Sequence, residues 1–241
     1  MPSAQRPPRR RIFAKTLLAI LISGSALTLF WFGLVPQRLS PLAPLSLDQA
    51  NPWFVDFRLA ALRRDASLCV ATLNSPHITA EPVGDKPFSN GCGWRTAVRM
   101  SKAGGATLPV GTITCEVAAA LALWIEHDVQ RLAREMLGSP VTRIEHMGGY
   151  ACRNIIGSKA LMAFRSQHAT ANAIDISGFR LADGRSVKLA SNWGDSTAEG
   201  RFLKAAHGAA CHYFRVALGP NYNKAHHDHF HLDRGPFVRC K

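Results

Sequence analysis

The sequence predicts an α+β domain, a small antiparallel sheet with helices packed on one side, preceded by one N-terminal transmembrane helix. Three observations carry this expectation: two segments with apolar residues at helical spacing, alternating runs closed by glycine-containing turns, and one long uncharged run near the N-terminus. With 241 residues, 47% of them apolar and 19% charged, the chain has material for a sizeable core, which excludes wholesale disorder.

The uncharged run extends from Thr16 to Val35, and its 20 residues are enough to cross a hydrocarbon core as a helix. Arg6, Arg9, Arg10, Arg11 and Lys15 lie before it with no acidic residue among them. The positive-inside rule therefore places residues 1–15 in the cytoplasm and the rest outside, as a single-pass protein of a bacterial inner membrane with a periplasmic C-terminal domain. A cleaved signal peptide is the competing reading, against which stand the length of the run and the absence of an A-x-A site around Leu34-Val35-Pro36-Gln37. Residues 36–52 contain Pro36, Pro41, Pro44 and Pro52 and read as a stiff linker, so the globular domain is expected over 53–241.

Within that domain, Val117, Ala120, Leu121, Trp124, Ile125, Leu132 and Met136 recur at helical spacing, and Gly138 with Pro140 supplies a stop, which predicts a helix from about Glu116 to Leu137. Val141 to Glu145 alternates and reads as a strand ending at Gly148-Gly149. Ala173 to Phe179 alternates too, and Asp183-Gly184 turns it into a second strand over Ser186 to Leu189. A second helix is expected to open at Ser196, where Ser196-Thr197-Ala198-Glu199 has the form of a capping box ahead of Phe202, Leu203, Ala206 and Ala210. The last strand is expected over His227 to Leu232.

Six cysteines, Cys69, Cys92, Cys115, Cys152, Cys211 and Cys240, all follow the apolar run. Their even number fits an oxidising compartment and up to three disulfides, in any of about 15 pairings. No C-x-x-C pair is present, which disfavours a four-thiolate zinc site. The formal charge is +13, of which +5 falls in the first 36 residues and +8 in the remainder. A basic body favours an anionic partner. Nucleic acid is disfavoured, because the domain is expected outside the cytoplasm and no basic stripe is interleaved with aromatics.

Ten histidines are present, and they crowd near the C-terminus in Ala225-His226-His227-Asp228-His229-Phe230-His231-Leu232-Asp233. In an extended strand His227, His229, His231 and Asp233 share one face while Phe230 and Leu232 point to the core. A solvated polar strand face has the same pattern. Upstream, Ser166-Gln167-His168-Ala169-Thr170-Ala171-Asn172-Ala173-Ile174-Asp175 sets a histidine and a carboxylate seven residues apart. A catalytic zinc site needs three protein ligands and one open position, and His168, Asp175 and one histidine of the final strand supply such a set.

Ser166-x-His168-x-x-Ala171-x-Ala173-x-Asp175 followed by His229-x-His231 resembles the pattern of the zinc peptidases grouped with lysostaphin, the D-alanyl-D-alanine carboxypeptidases and the hedgehog signalling fold. The form His226-x-x-His229-x-His231 is most like that of the penicillin-insensitive murein endopeptidases. From about Asn51 onward the chain also resembles the bacterial extensin-like C-terminal domain family, through Gly149-Tyr150-Ala151-Cys152-Arg153, Ser166-Gln167-His168, Asp175-Ile176 and His229-Phe230-His231-Leu232-Asp233. Ala171 departs from the peptidase pattern, which has glycine there.

The resemblance implies a hedgehog or D-Ala-D-Ala peptidase-like fold, with Zn2+ held by His168, Asp175 and His231. It implies His229 as the general base that takes a proton from the attacking water, and His226 as an auxiliary acid or transition-state donor. Asp228 is the rival base, since related carboxypeptidases carry an acid three positions before the last ligand. Strand alternation points Asp228 away from His231 and ranks His229 first, an order that reverses if the strand begins only at His229. Arg153 resembles the arginine that polarises the scissile carbonyl or holds a substrate carboxylate, and the plainer reading is a surface arginine beside a structural cysteine. Ser166 is expected to orient the His168 loop, and Asp233 to fix an imidazole tautomer or end a strand in solvent.

The function this implies is a membrane-anchored, periplasm-facing zinc hydrolase that cuts amide bonds in peptidoglycan peptides. A non-catalytic zinc-containing wall-binding module on the same fold is the alternative, and a plain adhesion domain leaves His168, Asp175, His229 and His231 without a role. The bond cut, the disulfide pairing and the oligomeric state stay open.

Overall fold

The computed structural model describes residues 9–34, 36, 43–50 and 53–241, so the basic N-terminus expected over 1–15, the end of the span at Val35 and the linker over 36–52 lie partly outside the described residues. Two compact units are present, Met1–Ala43 and Pro44–Lys241.

In the first unit, helix α1 runs Arg9–Trp31. Its stretch Arg11–Trp31 is long and apolar enough to cross a membrane, and none of it is buried by protein. At the helical rise its 21 residues extend about 32 Å. The hydroxyls of Thr16 and Thr28 donate to Ile12 O and Gly24 O, so these polar groups are satisfied inside the helix itself. The helix ends four residues short of the apolar run because Gly33 takes a left-handed conformation (φ 67°).

The second unit begins earlier than the position near Trp53 at which the sequence places it. Leu45 and Leu47 are buried in its core, and Leu47 O is bonded to His127 Nε2. There follow α2 (Val55–Ala61), α3 (Ala66–Leu73), β1 (Ile78–Val83), β2 (Lys86–Ser89), β3 (Cys92–Trp94), β4 (Ala97–Ala103), β5 (Ala106–Thr114), α4 (Cys115–Leu123) and α5 (Gln130–Leu137). The second half holds β6 (Val141–Gly148), β7 (Ala173–Leu181), β8 (Ser186–Lys188), α6 (Leu189–Asn192), α7 (Ala198–Tyr213), β9 (Val216–Leu218), β10 (Phe230–Asp233) and β11 (Arg239–Cys240).

The class is α+β, as expected, but the sheet is not small. It has nine strands in the order β1-β4-β5-β6-β7-β10-β9-β11, with β8 beside β10 on the same edge of β7. Pairing is antiparallel except for β5 with β6 and β9 with β11. The strands that enlarge it, β1, β4 and β5, were not legible because bulges interrupt their alternation, between Thr79 and Ala80 and on both sides of Met100.

The helix expected over Glu116–Leu137 is present at both ends but interrupted. All nine residues of α4 are buried, the composition of a helix enclosed on every side. Over Trp124–Val129 the helix widens, and the Gln130 N–H reaches back five residues to Ile125 O. Then α5 runs to Leu137, where Gly138 (φ 68°) ends it. Trp124 lies edge-on to Phe179 and Phe214 and donates from Nε1 to Ala206 O, joining this helix to sheet and α7. The second helix starts one residue later than the capping-box reading. Thr197, not Ser196, is the cap, accepting from Gly200 N at 3.2 Å, and Glu199 pairs instead with Arg185.

Three disulfides form, Cys69–Cys115, Cys92–Cys152 and Cys211–Cys240. They join α3 to α4, β3 to the segment after β6, and α7 to β11. Beneath them lies a buried ion cluster. Arg234, 1% exposed, donates from Nε to Glu116 Oε1 at 2.9 Å and from Nη1 to Asp56 Oδ1 at 2.7 Å. Arg63 supplies a second cation to the fully buried Glu116. Arg234 directly follows β10, so this cluster fixes the end of that strand.

Arg234→Ala leaves the Glu116 carboxylate buried with one cation fewer, and denaturant unfolding followed by tryptophan fluorescence should report a loss of about 3–5 kcal/mol. The double substitution Arg234→Met with Glu116→Leu should recover a large part of that loss.

Candidate metal centre

Side chains on β7 and β10 divide by alternation. Ile174, Ile176, Phe230 and Leu232 enter the core, so Asp175 and His231 project from the opposite face. The register pairs Asp175 directly with His231 and sets Gly148, at the end of β6, against Asp175 on the other side.

His168 reaches this point from a short 3-10 turn, Gln167–Thr170, capped by Ser166 Oγ, which accepts from the His168 N–H. Ser166 thus has the orienting part expected of it. The turn closes at Ala171, whose φ of 54° is left-handed, a conformation that favours glycine. Asn172 locks the turn, its side chain bonded to Gln167 Oε1 and to Thr114 Oγ1. On the far side, the carbonyl of Gly149 accepts from His168 Nδ1 at 2.6 Å. Only glycine fits there, since a Cβ would lie 2.4 Å from Ile113 Cγ2.

Three side-chain atoms converge. His168 Nε2 lies 3.1 Å from Asp175 Oδ1 and 3.1 Å from His231 Nδ1, and His231 Nδ1 lies 3.0 Å from Asp175 Oδ1. The rear nitrogen of each ring is already committed. His168 Nδ1 faces the Gly149 carbonyl, and His231 Nε2 faces Asp233 Oδ2 at 3.0 Å. Both acceptors fix the proton at the rear and turn a lone pair toward Asp175. With both rings neutral, two lone pairs and a carboxylate oxygen point at one another, an arrangement that either a bound cation or a second proton on His231 satisfies. Ligands about 2.0–2.1 Å from a tetrahedral zinc ion stand roughly 3.3 Å apart, close to the spacing found. The donor set of two imidazoles and one carboxylate fits a catalytic zinc site with one position left for solvent. A second grouping, His207 with Cys211 and Cys240, offers no thiolate because the two sulfurs are bonded to each other.

Burial works against the Asp175 anion, yet the hydrogen bonds from His168 and His231 outweigh it and hold the carboxyl well below its usual range. Burial likewise disfavours the charged His231, but Asp175 and Asp233 on either side push its pKa up to about 9. In the absence of a metal the His231 imidazolium thus provides the positive charge the cluster requires.

The other sequence-predicted residues surround this triangle. His229, 8% exposed, has Nε2 3.7 Å from Asp175 Oδ1, while its Nδ1 bonds Asp228 Oδ1 at 2.9 Å. Asp228 is therefore the partner of His229 as well as its rival in the sequence. His226 stacks near His229 and His231, with ring centroids 5.3 and 5.8 Å away, and burial with the two neighbouring imidazoles lowers its pKa to about 4. Arg153 Nη2 stands 3.7 Å from Asp175 Oδ2. Asp233 is buried and carries out the tautomer-fixing part, ending no strand in solvent.

One expectation is corrected. The strand begins at Phe230, not His227, because Lys224–His226 forms a 3-10 turn capped by Asn223. His227 is consequently outside the shared face, exposed and bonded to Lys224 O. His229 also precedes the strand, so alternation no longer ranks it above Asp228, and its ranking rests instead on its Nε2 standing 3.7 Å from Asp175 Oδ1. The sequence also missed Gly149 as a carbonyl partner and Asn223 as the group that holds His226 Nδ1 at 2.7 Å. The spacing Asn223-x-x-His226 was the available signal for the second.

A family model described as Extensin-like protein C-terminus matches residues 67–241, and the chain belongs to that family. Neither a curated protein nor a solved structure gives a match.

Titrated with zinc, the full chain in detergent should take up one ion, and His168→Ala should weaken uptake at least about 100-fold. Zinc competes with a proton on His231, so affinity should fall roughly tenfold per pH unit below about 9 and level off above it. Calorimetry in two buffers of different ionisation enthalpy reads the proton released, and uptake without release would refute this ligand set. The metal-free chain has the opposite dependence. A folded-state pKa raised from 6.5 to about 9 gives stabilisation that is complete below the lower value and lost as pH rises through the higher one.

Proposed function

We propose that this extensin-like domain is a zinc hydrolase that cuts amide bonds in peptidoglycan peptides, held by its N-terminal helix at the periplasmic face of a bacterial inner membrane. The observation that carries this reading is the convergence of His168, Asp175 and His231 beside a second, carboxylate-bound imidazole, His229. A purely structural metal site has no need of that fourth group. Three disulfides support an oxidising compartment, and the excess of +8 outside the first 36 residues suits an anionic wall polymer.

Zinc bound by His168, Asp175 and His231 would supply Lewis acidity at a carbonyl oxygen and lower the pKa of a water toward about 7. The remaining work belongs to side chains. With its Nδ1 proton directed at Asp228, His229 turns the Nε2 lone pair toward the cluster. There it takes a proton from the attacking water and passes it to the departing amine nitrogen as the carbon–oxygen bond forms and the carbon–nitrogen bond breaks. Asp228 orients the ring and stabilises the imidazolium that results. His226 donates from Nδ1 to Asn223 and is neutral at neutral pH, so its Nε2 is an acceptor, suited to holding a water or a substrate N–H rather than delivering a proton. Arg153 offers a guanidinium at the rim to polarise the carbonyl or hold a carboxylate.

The full chain in detergent should cleave cross-linked or uncross-linked muropeptides, lose the activity on chelation and regain it with zinc. His229→Ala should retain the metal and lower kcat about 10²–10⁴-fold, and His168→Ala should lose both metal and activity. Zinc bound stoichiometrically with no muropeptide cleaved would replace the hydrolase by a wall-binding module.

A further inference from the structure

The ribbon β2–β3 stands apart from the nine-stranded sheet. All four residues of β2 are exposed, so the ribbon contributes little to the core. It is nonetheless fixed firmly at one place, the segment that carries Arg153. The disulfide Cys92–Cys152 joins it to the residue before Arg153. Arg165 bridges its tip to the same segment, from Nε to Asn90 O at 2.8 Å and from Nη1 to Asn154 Oδ1 at 2.9 Å. A ribbon with a small share in the core is thus tied covalently to the residue before Arg153, whose guanidinium stands 3.7 Å from Asp175.

The ribbon carries an exposed lysine held by two rings. Lys86 Nζ lies 5.1 Å from the Trp94 ring centroid and 4.9 Å from that of Tyr150, and donates to Tyr150 Oη at 3.1 Å. The rings meet edge to face at 4.8 Å, and Trp94 Nε1 is anchored on Gly84 O. Tyr150 follows Gly149, whose carbonyl holds His168, so the box and the metal centre share one short piece of backbone. Ring faces attract the ammonium and limit its motion, but they carry no net charge to neutralise it. Among the described residues no carboxylate lies within ion-pair distance of Lys86. An ammonium has three donors, and Tyr150 takes one. A pre-positioned cation with two free donors is complementary to a carboxylate.

We propose that Lys86, clamped by Trp94 and Tyr150, is the anchor of a subsite for a substrate carboxylate flanking the amide that is cut. This rests on the hydrolase reading and gives it a specificity, for peptides that carry a free acid at that position over those in which it is amidated.

Two synthetic stem-peptide dimers, identical except that one carboxylate flanking the amide is free or amidated, test this on the full chain. The free acid should show a KM about tenfold lower, the scale of one solvent-exposed charge-assisted contact. Lys86→Gln should bring the two KM values within about twofold with little change in kcat, and Lys86→Arg should keep the preference. An equal KM for both peptides in the unaltered chain, or a preference that survives Lys86→Gln, overturns the subsite. Calorimetric binding of the same peptides to the His229→Ala chain separates the two readings. Lys86-dependent discrimination in binding with no cleavage by the unaltered chain sinks the hydrolase and keeps the subsite, whereas cleavage without discrimination sinks the subsite alone. A thermal midpoint held in Lys86→Gln excludes a merely structural role for the clamp.

Discussion

Two imidazole nitrogens and a carboxylate oxygen face one another at 3.0–3.1 Å, an arrangement satisfied either by a bound cation or by a second proton on His231. Much of the fold around them acts to prevent any other solution. A neutral ring cannot turn to offer its proton inward without abandoning the Gly149 carbonyl or the Asp233 carboxylate, each within 3.0 Å of its rear nitrogen. Asp175 cannot withdraw, because its strand is paired on both edges, with β6 and with β10. The cost of gathering these acceptors is met during folding, which is the condition for tight metal binding by a preorganised site.

The scaffold that holds them is tied from behind. Directly after Asp233, Arg234 is buried against Glu116 at the start of α4 and Asp56 of α2, so the ligand strand and the central helix share one ion cluster. The three disulfides close loops of 29 to 60 residues, each worth about 4 kcal/mol in the chain-entropy account. Cys92–Cys152 sets the ribbon and Arg153 in a common frame.

Part of the site was legible from short-range spacing, which set His168 seven residues before Asp175 and put alternate histidines of the last strand on one face, whereas the choice of His231 among them came from the resemblance to the zinc peptidases. The α4–α5 helix was legible from its apolar spacing and Gly138, but the widened turn at Trp124–Val129 was not. Against it packs a neighbour distant in sequence, the Gly104 turn, where a Cβ would fall 2.7 Å from Glu126 N. The edge strands of the sheet were hidden by bulges, and the His227 side chain was misplaced because one cap, Asn223, delays the final strand by three residues. Lys86 and Arg234 were invisible for the same reason. Their partners lie 64 and 118 residues away, and charge patterning along the chain contains no record of such pairs.

The division between ligands read from local pattern and supports set by tertiary contact has a consequence for how metal and fold are coupled. In small zinc domains the ion replaces a core, and the apo chain is unfolded. Here the face of β7 and β10 opposite the ligands is already sealed by Ile174, Ile176, Phe230 and Leu232, all fully buried, and His231 accepts a proton in place of the metal. The strained left-handed Ala171, at a cost of roughly 1–2 kcal/mol, is held by Asn172 and the Thr114 hydroxyl rather than by any ion. The converging side chains of His168, Asp175 and His231 are therefore mounted on a core already closed behind them, and a cation bound there would add little to what holds the fold together.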